Sequence, residues 1–317
     1  MLSDHAATIA RAYCGAAPVQ DMVVAARGEQ GRVWRLVTDD GTFAVKDLFV
    51  RQLPADAAAD VAYQEAVLAT GTLRLPRPVR TAAGEVLVNI AGHQVRVYDW
   101  VDLLPTDTAL DPTLIGATLA AVHLVRHEPA GTLHWWYTDP VGAERWTQLL
   151  AAAKAAQAPF VEAFDAEIPH LLRLEALLEA PRNLQNCHRD LWADNILPTP
   201  GGGVCVIDWE NCGLADPAQE IPMVLLDFGV GDPLRVAELY RSYGDAGGPA
   251  RIRGLEAFTM VIAQFGHFWE AAVEHYLRPD AADEDRAHSL ERIADLLTMP
   301  LRVKNLEEML DIIGAAH

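Results

Sequence analysis

The stretch that decides the reading of this 317-residue chain is His188-Arg189-Asp190-Leu191-Trp192-Ala193-Asp194-Asn195, followed by the apolar run Val204 to Ile207 and then Asp208-Trp209-Glu210. A loop carrying a carboxylate, then an amide five residues on, then a second carboxylate beyond the next hairpin, can converge three side chains on one point. Phosphoryl transfer asks for such a set. One carboxylate orients the attacking hydroxyl and takes its proton, while carboxylate and amide oxygens suit Mg2+. Asp190 fits the first role, and Asn195 and Asp208 fit the second. His188 reads as a brace for the loop, because Asp190 already supplies the base.

Upstream, from about residue 22, β-branched and polar residues alternate through Met22 to Phe49, with Asp40-Gly41 as a hairpin turn. Only three of the 25 basic residues are lysines, Lys46, Lys154 and Lys304. Lys46 falls on a predicted strand beside Ala44 and Val45, where an ammonium is costly unless paired. Residues 55–70 are expected to be helical, and Glu65, nineteen residues after Lys46, is the natural partner. The loop from Gly28 to Gly31 is placed to cover phosphates with backbone N–H groups. A second hairpin is expected over Glu85 to Asn89 and Gln94 to Trp100, turned at Ala91-Gly92.

Past Leu103-Leu104-Pro105 the texture becomes helical, over 112–126, 140–156, 161–179, 219–227, 233–243, 249–276 and, in pieces, 281–314. The stretch 184–212 interrupts these with two small strands separated by Gly201-Gly202-Gly203. The predicted fold is therefore α+β, an antiparallel β lobe with one helix followed by a larger, mainly helical lobe. Its boundaries are expected at 1–98, a hinge at 99–104, and 105–317.

Composition narrows the function. The chain is 51% apolar and 22% charged, with mean hydropathy +0.07, which excludes disorder and coiled coil. A net charge of −19 argues against a nucleic-acid or anionic-membrane partner and favours a cationic small molecule. No run approaches the ~20 apolar residues of a membrane span. The first 21 residues lack a secretory pattern. Cys14, Cys187, Cys205 and Cys212 have neither metal-clip spacing nor disulfide density, and the last three are expected to pack as small apolar groups. A cytoplasmic protein is expected.

In this order, glycine loop, strand lysine, helix glutamate, catalytic loop and metal aspartate, the chain resembles the aminoglycoside phosphotransferase and choline kinase-like family, which is similar in fold to protein kinases. The resemblance implies a two-lobed ATP-binding fold with adenine against the hinge at Tyr98 to Asp102, Trp100 included. It implies transfer of the γ-phosphate to a hydroxyl of an amino-bearing sugar, antibiotic or small amino alcohol, with ATP and Mg2+ as cofactors. Asp190 would be the base, Asn195 and Asp208 the Mg2+ ligands, and Lys46 and Glu65 the phosphate-positioning pair. Leu214-Ala215-Asp216-Pro217 resembles the family's Gly-Asp-Pro turn, and Glu220 stands where the family often has Asp. A nucleotide-binding pseudokinase or regulator is disfavoured, since base, metal ligands and lysine pair are all present. A protein kinase is disfavoured further, since Asp208 is followed by Trp-Glu and no Ala-Pro-Glu appears.

On the acceptor side the residues leave alternatives. His267, Glu270 and Glu274 form a polar stripe that either lines a cleft or edges a buried helix. Trp136, within Trp135-Trp136-Tyr137, either stacks on a sugar or plugs a gap between helices. Trp192 and Glu210, beside the catalytic residues in sequence, are candidates for the acceptor mouth, Glu210 alternatively holding Asp208.

Overall fold

The computed structural model describes residues 2–15, 17–28, 31–129, 131–229, 231–299 and 301–315. A short helix α1 (Ala6–Tyr13) precedes strands β1 (Val19–Arg27), β2 (Gly31–Thr38) and β3 (Gly41–Leu48). Helix α2 (Pro54–Thr70) follows, then β4 (Pro78–Val79), β5 (Val88–Ile90) and β6 (His93–Asp99). These strands make one antiparallel sheet in the order β1-β2-β3-β6-β4, with β5 also on β6.

Strand alternation divides the sheet into two faces of different chemistry. Trp34, Leu36, Val45, Val95 and Val97 form one face and pack against Leu2, Ile9 and Tyr13. Nothing in the sequence reading placed a helix over residues 6–13; it forms there because it closes this apolar face. The register pairs Ala44 with Tyr98 and Lys46 with Arg96, so these four residues share the opposite face. The first hairpin turns at Asp39-Asp40, one residue earlier than expected, with the Thr38 hydroxyl donating to the Gly41 carbonyl. The second turns at Ala91-Gly92, both with positive φ (51° and 90°), the conformation that matches strand twist in a two-residue loop. Helix α2 starts with Pro54 in its first turn and stops at Gly71, which is left-handed.

The helical lobe contains α3 (Pro112–Leu124), α4 (Ala143–Ala155) and α5 (Val161–Glu175). Two small hairpin pairs follow, built from β7 (Gln185–Cys187), β8 (Ile196–Pro198), β9 (Val204–Val206) and β10 (Gly213–Ala215). The rest is α6 (Pro217–Phe228), α7 (Pro233–Asp245), α8 (Thr259–Leu277), α9 (Asp283–Thr298) and α10 (Val303–Ala315). The architecture is the two-lobed α+β arrangement expected of a protein-kinase-like fold. Helix α8 begins ten residues later than the periodicity suggested, because a 3-10 turn over Leu255–Phe258 precedes it. No helix among the described residues is long and apolar enough to cross a membrane. All four cysteines are free and buried, as the apolar packing of Cys187, Cys205 and Cys212 required.

Helices α3 and α7 approach at backbone distance. A Cβ on Gly116 would lie 2.5 Å from the Leu239 carbonyl oxygen and 2.8 Å from the Tyr243 nitrogen, and neither can move without shifting α7. Gly116→Ala is therefore expected to cost about 1–3 kcal/mol through overpacking, read as a lower urea midpoint at unchanged slope. Gly201→Ala, where a Cβ meets nothing within 4 Å, should stay within about 0.5 kcal/mol.

Candidate active site

Two two-stranded sheets, one of them enclosing the other in the chain order, bring the chemistry-bearing loops together. Strand β7 pairs with β10, and β8 with β9, so the loops 188–195 and 207–212 are both anchored at their ends. Between them the Ile207 N–H donates to the Asn195 carbonyl (3.0 Å), and Asn211 Nδ2 donates to Asp190 Oδ2 (3.0 Å). Asn195 Nδ2 donates to the Asp190 backbone carbonyl at 2.8 Å, which leaves its amide oxygen as the atom it presents outward. Asp190, Asn195 and Asp208, named from the sequence, thus lie on two loops tied to one another.

Two residues in these loops, Arg189 (φ 65°) and Asp208 (φ 63°), occupy the left-handed region without being glycine. Such conformations cost roughly 1–3 kcal/mol each and persist only where neighbours over-determine them. Arg189 is held from three sides. Its N–H donates to Glu220 Oε1, and its guanidinium donates to the carbonyls of Asn211 (2.6 Å) and Cys212 (2.9 Å). The guanidinium also lies 4.5 Å over the Tyr137 ring. Glu220 is fully buried on α6, its second oxygen 2.7 Å from His123 Nε2, and His123 Nδ1 is 2.9 Å from the Tyr243 hydroxyl. Against the cost of burial, His123 holds the Glu220 carboxyl below its ordinary range. The family-like turn does comparable work, since Asp216 caps α6 at the Ala218 N–H and accepts from the N–H groups of Arg182 and Asn183.

His188 is a brace, as its neighbours required: it is fully buried, its Nε2 donates to the Ile207 carbonyl (2.9 Å), and its ring meets Trp209 edge-on. Burial holds its imidazole down to about 4, so it is neutral near pH 7. Burial also pushes the Asp190 carboxyl up to about 6, with the Asn211 hydrogen bond and the Lys46 charge opposing. A carboxylate tuned this way is mostly ionised at neutral pH yet a better proton acceptor than an exposed one.

Lys46 does not meet Glu65. Its Nζ donates to Asp208 Oδ1 and to Glu210 Oε2 (2.9 Å for the latter). Glu65 is instead in a two-pronged pair with Arg80, both distances 2.9 Å. The reason is helical phase. The buried face of α2 carries Ala57, Asp60, Val61, Tyr63, Gln64 and Val67, which leaves Glu65 to one side. Burial works against the Lys46 ammonium, but Glu210 and Asp208 more than offset it and keep its affinity for a proton above the ordinary value. The two carboxylates share the Lys46 ammonium and are shifted in opposite directions. Although burial opposes it, Lys46, Asp208, Arg96 and Tyr98 hold Glu210 well below the usual range, while burial and the Glu210 charge push Asp208 up to about 7.

Glu210 therefore faces the sheet, not an acceptor mouth. Tyr98 is drawn into the same cluster: its hydroxyl donates to Glu210 Oε1 at 2.7 Å, and it lies alongside Ala44 on the sheet's inner face. Trp100 donates from Nε1 to Asp102 (2.8 Å), its ring 5.5 Å below the Arg35 guanidinium, and its N–H donates to the Thr42 carbonyl. At the glycine loop, the Gly28 N–H donates to the Gly31 carbonyl (2.9 Å), and a Cβ on Gly31 would lie 2.8 Å from the Asp47 carbonyl oxygen. The two residues between them, Glu29 and Gln30, lie outside the described residues.

The polar stripe of α8 is already partnered. Arg145 donates from Nε to Glu270 (2.7 Å) and also pairs with Glu274. His267 is buried, with Nε2 on the Asp139 carbonyl (3.1 Å) and Nδ1 3.3 Å from Glu270. Trp136 stacks on the His267 ring at 5.1 Å, half-exposed Trp135 meets that ring edge-on at 4.7 Å, and Tyr137 lies beneath Arg189. The aromatic segment thus joins α8 to the residue beside Asp190. Trp192 is half-buried, packed between the two hydrophobic clusters of the helical lobe. The sequence reading missed Asn211, Arg96, Asp60 and Asp227, whose carboxylate accepts the Ala193 N–H at 2.6 Å. Only Asn211 carried a local signal, standing directly after Asp208-Trp209-Glu210.

Residues 21–255 match the sequence model of the phosphotransferase enzyme family. No curated protein sequence matches the chain significantly. Among solved structures, a spectinomycin phosphotransferase in complex with ADP and spectinomycin superposes with TM-score 0.70 at 11% identity, over 99% of this chain and 97% of that one. An aminoglycoside phosphotransferase from Alicyclobacillus acidocaldarius gives 0.59 at 19% identity, covering 94% and 93%. A choline/ethanolamine kinase family protein from Mesorhizobium loti gives 0.55 at 18%, covering 99% and 100%. At these identities the likeness is one of fold.

The two glutamates of this region should differ in their cost when truncated. Glu220→Ala leaves the Arg189 N–H and His123 Nε2 without their partner in the interior, for an expected loss of about 3 kcal/mol. Glu65→Ala breaks an exposed pair and should cost less than about 1 kcal/mol. Urea unfolding of the two variants against the parent measures the difference.

Proposed function

This chain belongs to the phosphotransferase enzyme family and is a small-molecule kinase by class, and we propose that it uses ATP and Mg2+ to phosphorylate a hydroxyl of an amino-bearing sugar, antibiotic or small amino alcohol. The observation that carries the reading is the meeting of Asp190, Asn195 and Asp208 on two tied loops with the Lys46 ammonium on Asp208. The donor set fits a hard divalent cation: Asp208 offers a carboxylate and Asn195 an amide oxygen, and Mg2+ selects such oxygens. These two residues would hold the ion, which when bound neutralises charge on the β and γ phosphates.

In the proposed reaction Asp190 orients the acceptor hydroxyl. Its oxygen forms a bond to the γ-phosphorus as the bond to the β–γ bridging oxygen breaks, the hydroxyl proton passes to Asp190, and ADP leaves. We assign Lys46 to the α and β phosphates, Gly28 and Gly31 to the loop that covers them, and Tyr98 to Asp102 to the adenine. We assign residues 1–98 to the nucleotide lobe, 99–104 to the hinge and 105–317 to the lobe that binds the acceptor. Positioning and charge neutralisation supply most of the acceleration.

An amino-bearing acceptor is supported by where the charge lies. Residues 1–98 carry ten basic and ten acidic side chains, so the whole net charge of −19 resides in 99–317. A field of that sign concentrates cations on the lobe assigned to the acceptor. We assign Trp136, which stacks on His267 and is joined through Tyr137 to Arg189, to the contact with such a molecule. Four unpaired cysteines accord with a cytoplasmic location.

Thermal melting with and without Mg2+ and ATP, followed by ADP release across aminoglycosides and small amino alcohols, tests the reading. A nucleotide-dependent rise in melting temperature and one acceptor that stimulates ADP release are expected. ADP release stimulated by a protein acceptor alone, or no melting shift at all, would overturn it. Asp190→Asn should lower turnover by about a thousandfold while nucleotide affinity stays within about twofold. Wild-type turnover in that variant removes Asp190 from the role of base.

A further inference from the structure

Resting on the ATP reading above, a second question is what holds the phosphate-facing lysine once Glu65 is excluded. The register of β3 and β6 sets Lys46 directly opposite Arg96 on the same face. Two cations opposite each other in neighbouring strands repel, and both are largely buried, Arg96 almost completely. Buried charges of one sign require carboxylates from elsewhere. Two arrive from different elements. Glu210, from the 3-10 turn after β9, accepts from Lys46 (2.9 Å) and from the Tyr98 hydroxyl (2.7 Å), and its Oε1 lies 3.8 Å from Arg96 Nη1. Asp60, from α2, accepts from Arg96 Nη2 (3.0 Å) and from Gln52 Nε2 (2.6 Å).

We infer that Glu210 is the positioning residue for Lys46, and that the polar contacts by which α2 reaches the lysine run through the chain Asp60, Arg96, Glu210. The lysine and the proposed metal carboxylate Asp208 are then set by one turn, Asp208 to Asn211, two residues apart. When Asp208 turns to a cation, Glu210 stays as the carboxylate on Lys46. The placement of the lysine consequently follows the catalytic segment of the helical lobe, and it is insensitive to Glu65 on the outer flank of α2.

Two measurements on the full chain test this, comparing the parent with Glu210→Gln, Glu65→Gln and Tyr98→Phe. The first needs no nucleotide. Lys154 and Lys304 are exposed internal references for acylation by an amine-reactive reagent, followed by mass spectrometry. In Glu210→Gln the Lys46 rate relative to these two should rise about tenfold, as expected when a charged hydrogen-bond partner is lost; in Glu65→Gln it should not change. The second is calorimetric binding of ADP and steady-state kinetics over a Mg2+ series. Glu210→Gln should weaken nucleotide binding and raise the KM for ATP about tenfold at an unchanged Mg2+ midpoint, and Tyr98→Phe, which removes one bond from Glu210 and keeps the ring, about threefold. An unchanged Lys46 rate in Glu210→Gln overturns the inference, as does Glu65→Gln matching its effect. So does a shifted Mg2+ midpoint at constant KM, which would make Glu210 a metal ligand. Should Glu210→Gln fail to fold, the same readings on Tyr98→Phe decide, with a parental Lys46 rate and KM overturning it. A parent that binds no nucleotide strikes the ATP reading alone, because the acylation ratio still reports on Glu210.

Discussion

The buried ammonium of Lys46 is the point on which the two lobes depend. A lysine in the middle of an apolar strand must find negative charge, and the sheet offers none beside it, since its cross-strand neighbour is Arg96. The charge comes from Asp208 and Glu210, more than 160 residues along the chain. One ion-pair cluster thereby docks the antiparallel sheet on the segment that carries the proposed chemistry. The same cluster takes up Tyr98, whose hydroxyl completes the shell around Glu210.

The second constraint lies behind the loops. Arg189 and Asp208 hold left-handed backbone conformations that isolated loops would relax. Arg189 is kept by buried polar contacts from α3, α6 and α7: His123, Glu220 and Tyr243 form a continuous chain of hydrogen bonds ending on its N–H. Gly116 permits α3 and α7 to pack closely enough for that chain to close. The helical core and the proposed base Asp190 are thus coupled through backbone geometry, one residue away from the reacting group. Aromatic residues extend this support, Tyr137 beneath Arg189 and Trp136 on His267.

Much of this was legible locally. The spacing of Asp190, Asn195 and Asp208 was read directly, because a short loop and a hairpin leave few ways to place three side chains. Glycine turns and strand alternation likewise placed both hairpin turns to within a residue. Glu65 failed for a definable reason: a helix of seventeen residues offers several acids, and its rotation about its own axis is set by what it packs against. Glu270 depended on packing in the same way. By sequence its stripe suits either a cleft lining or the edge of a buried helix, and only packing revealed Arg145 across it. Arg96 gave no signal at all, since a buried arginine is recognised only once its partners are known.

The sequence by itself determined most of the elements, their order, the α+β class and the residues that bear oxygen donors in the central loops, because these follow from local periodicity and short-range spacing. Tertiary structure alone decided which charges meet. Pairing Lys46 with Glu210 in place of Glu65, and interposing Arg96 between Glu210 and Asp60, depends on strand register and helix phase across distant segments. Those quantities are fixed by the simultaneous burial of several elements, and no stretch of the chain encodes them on its own.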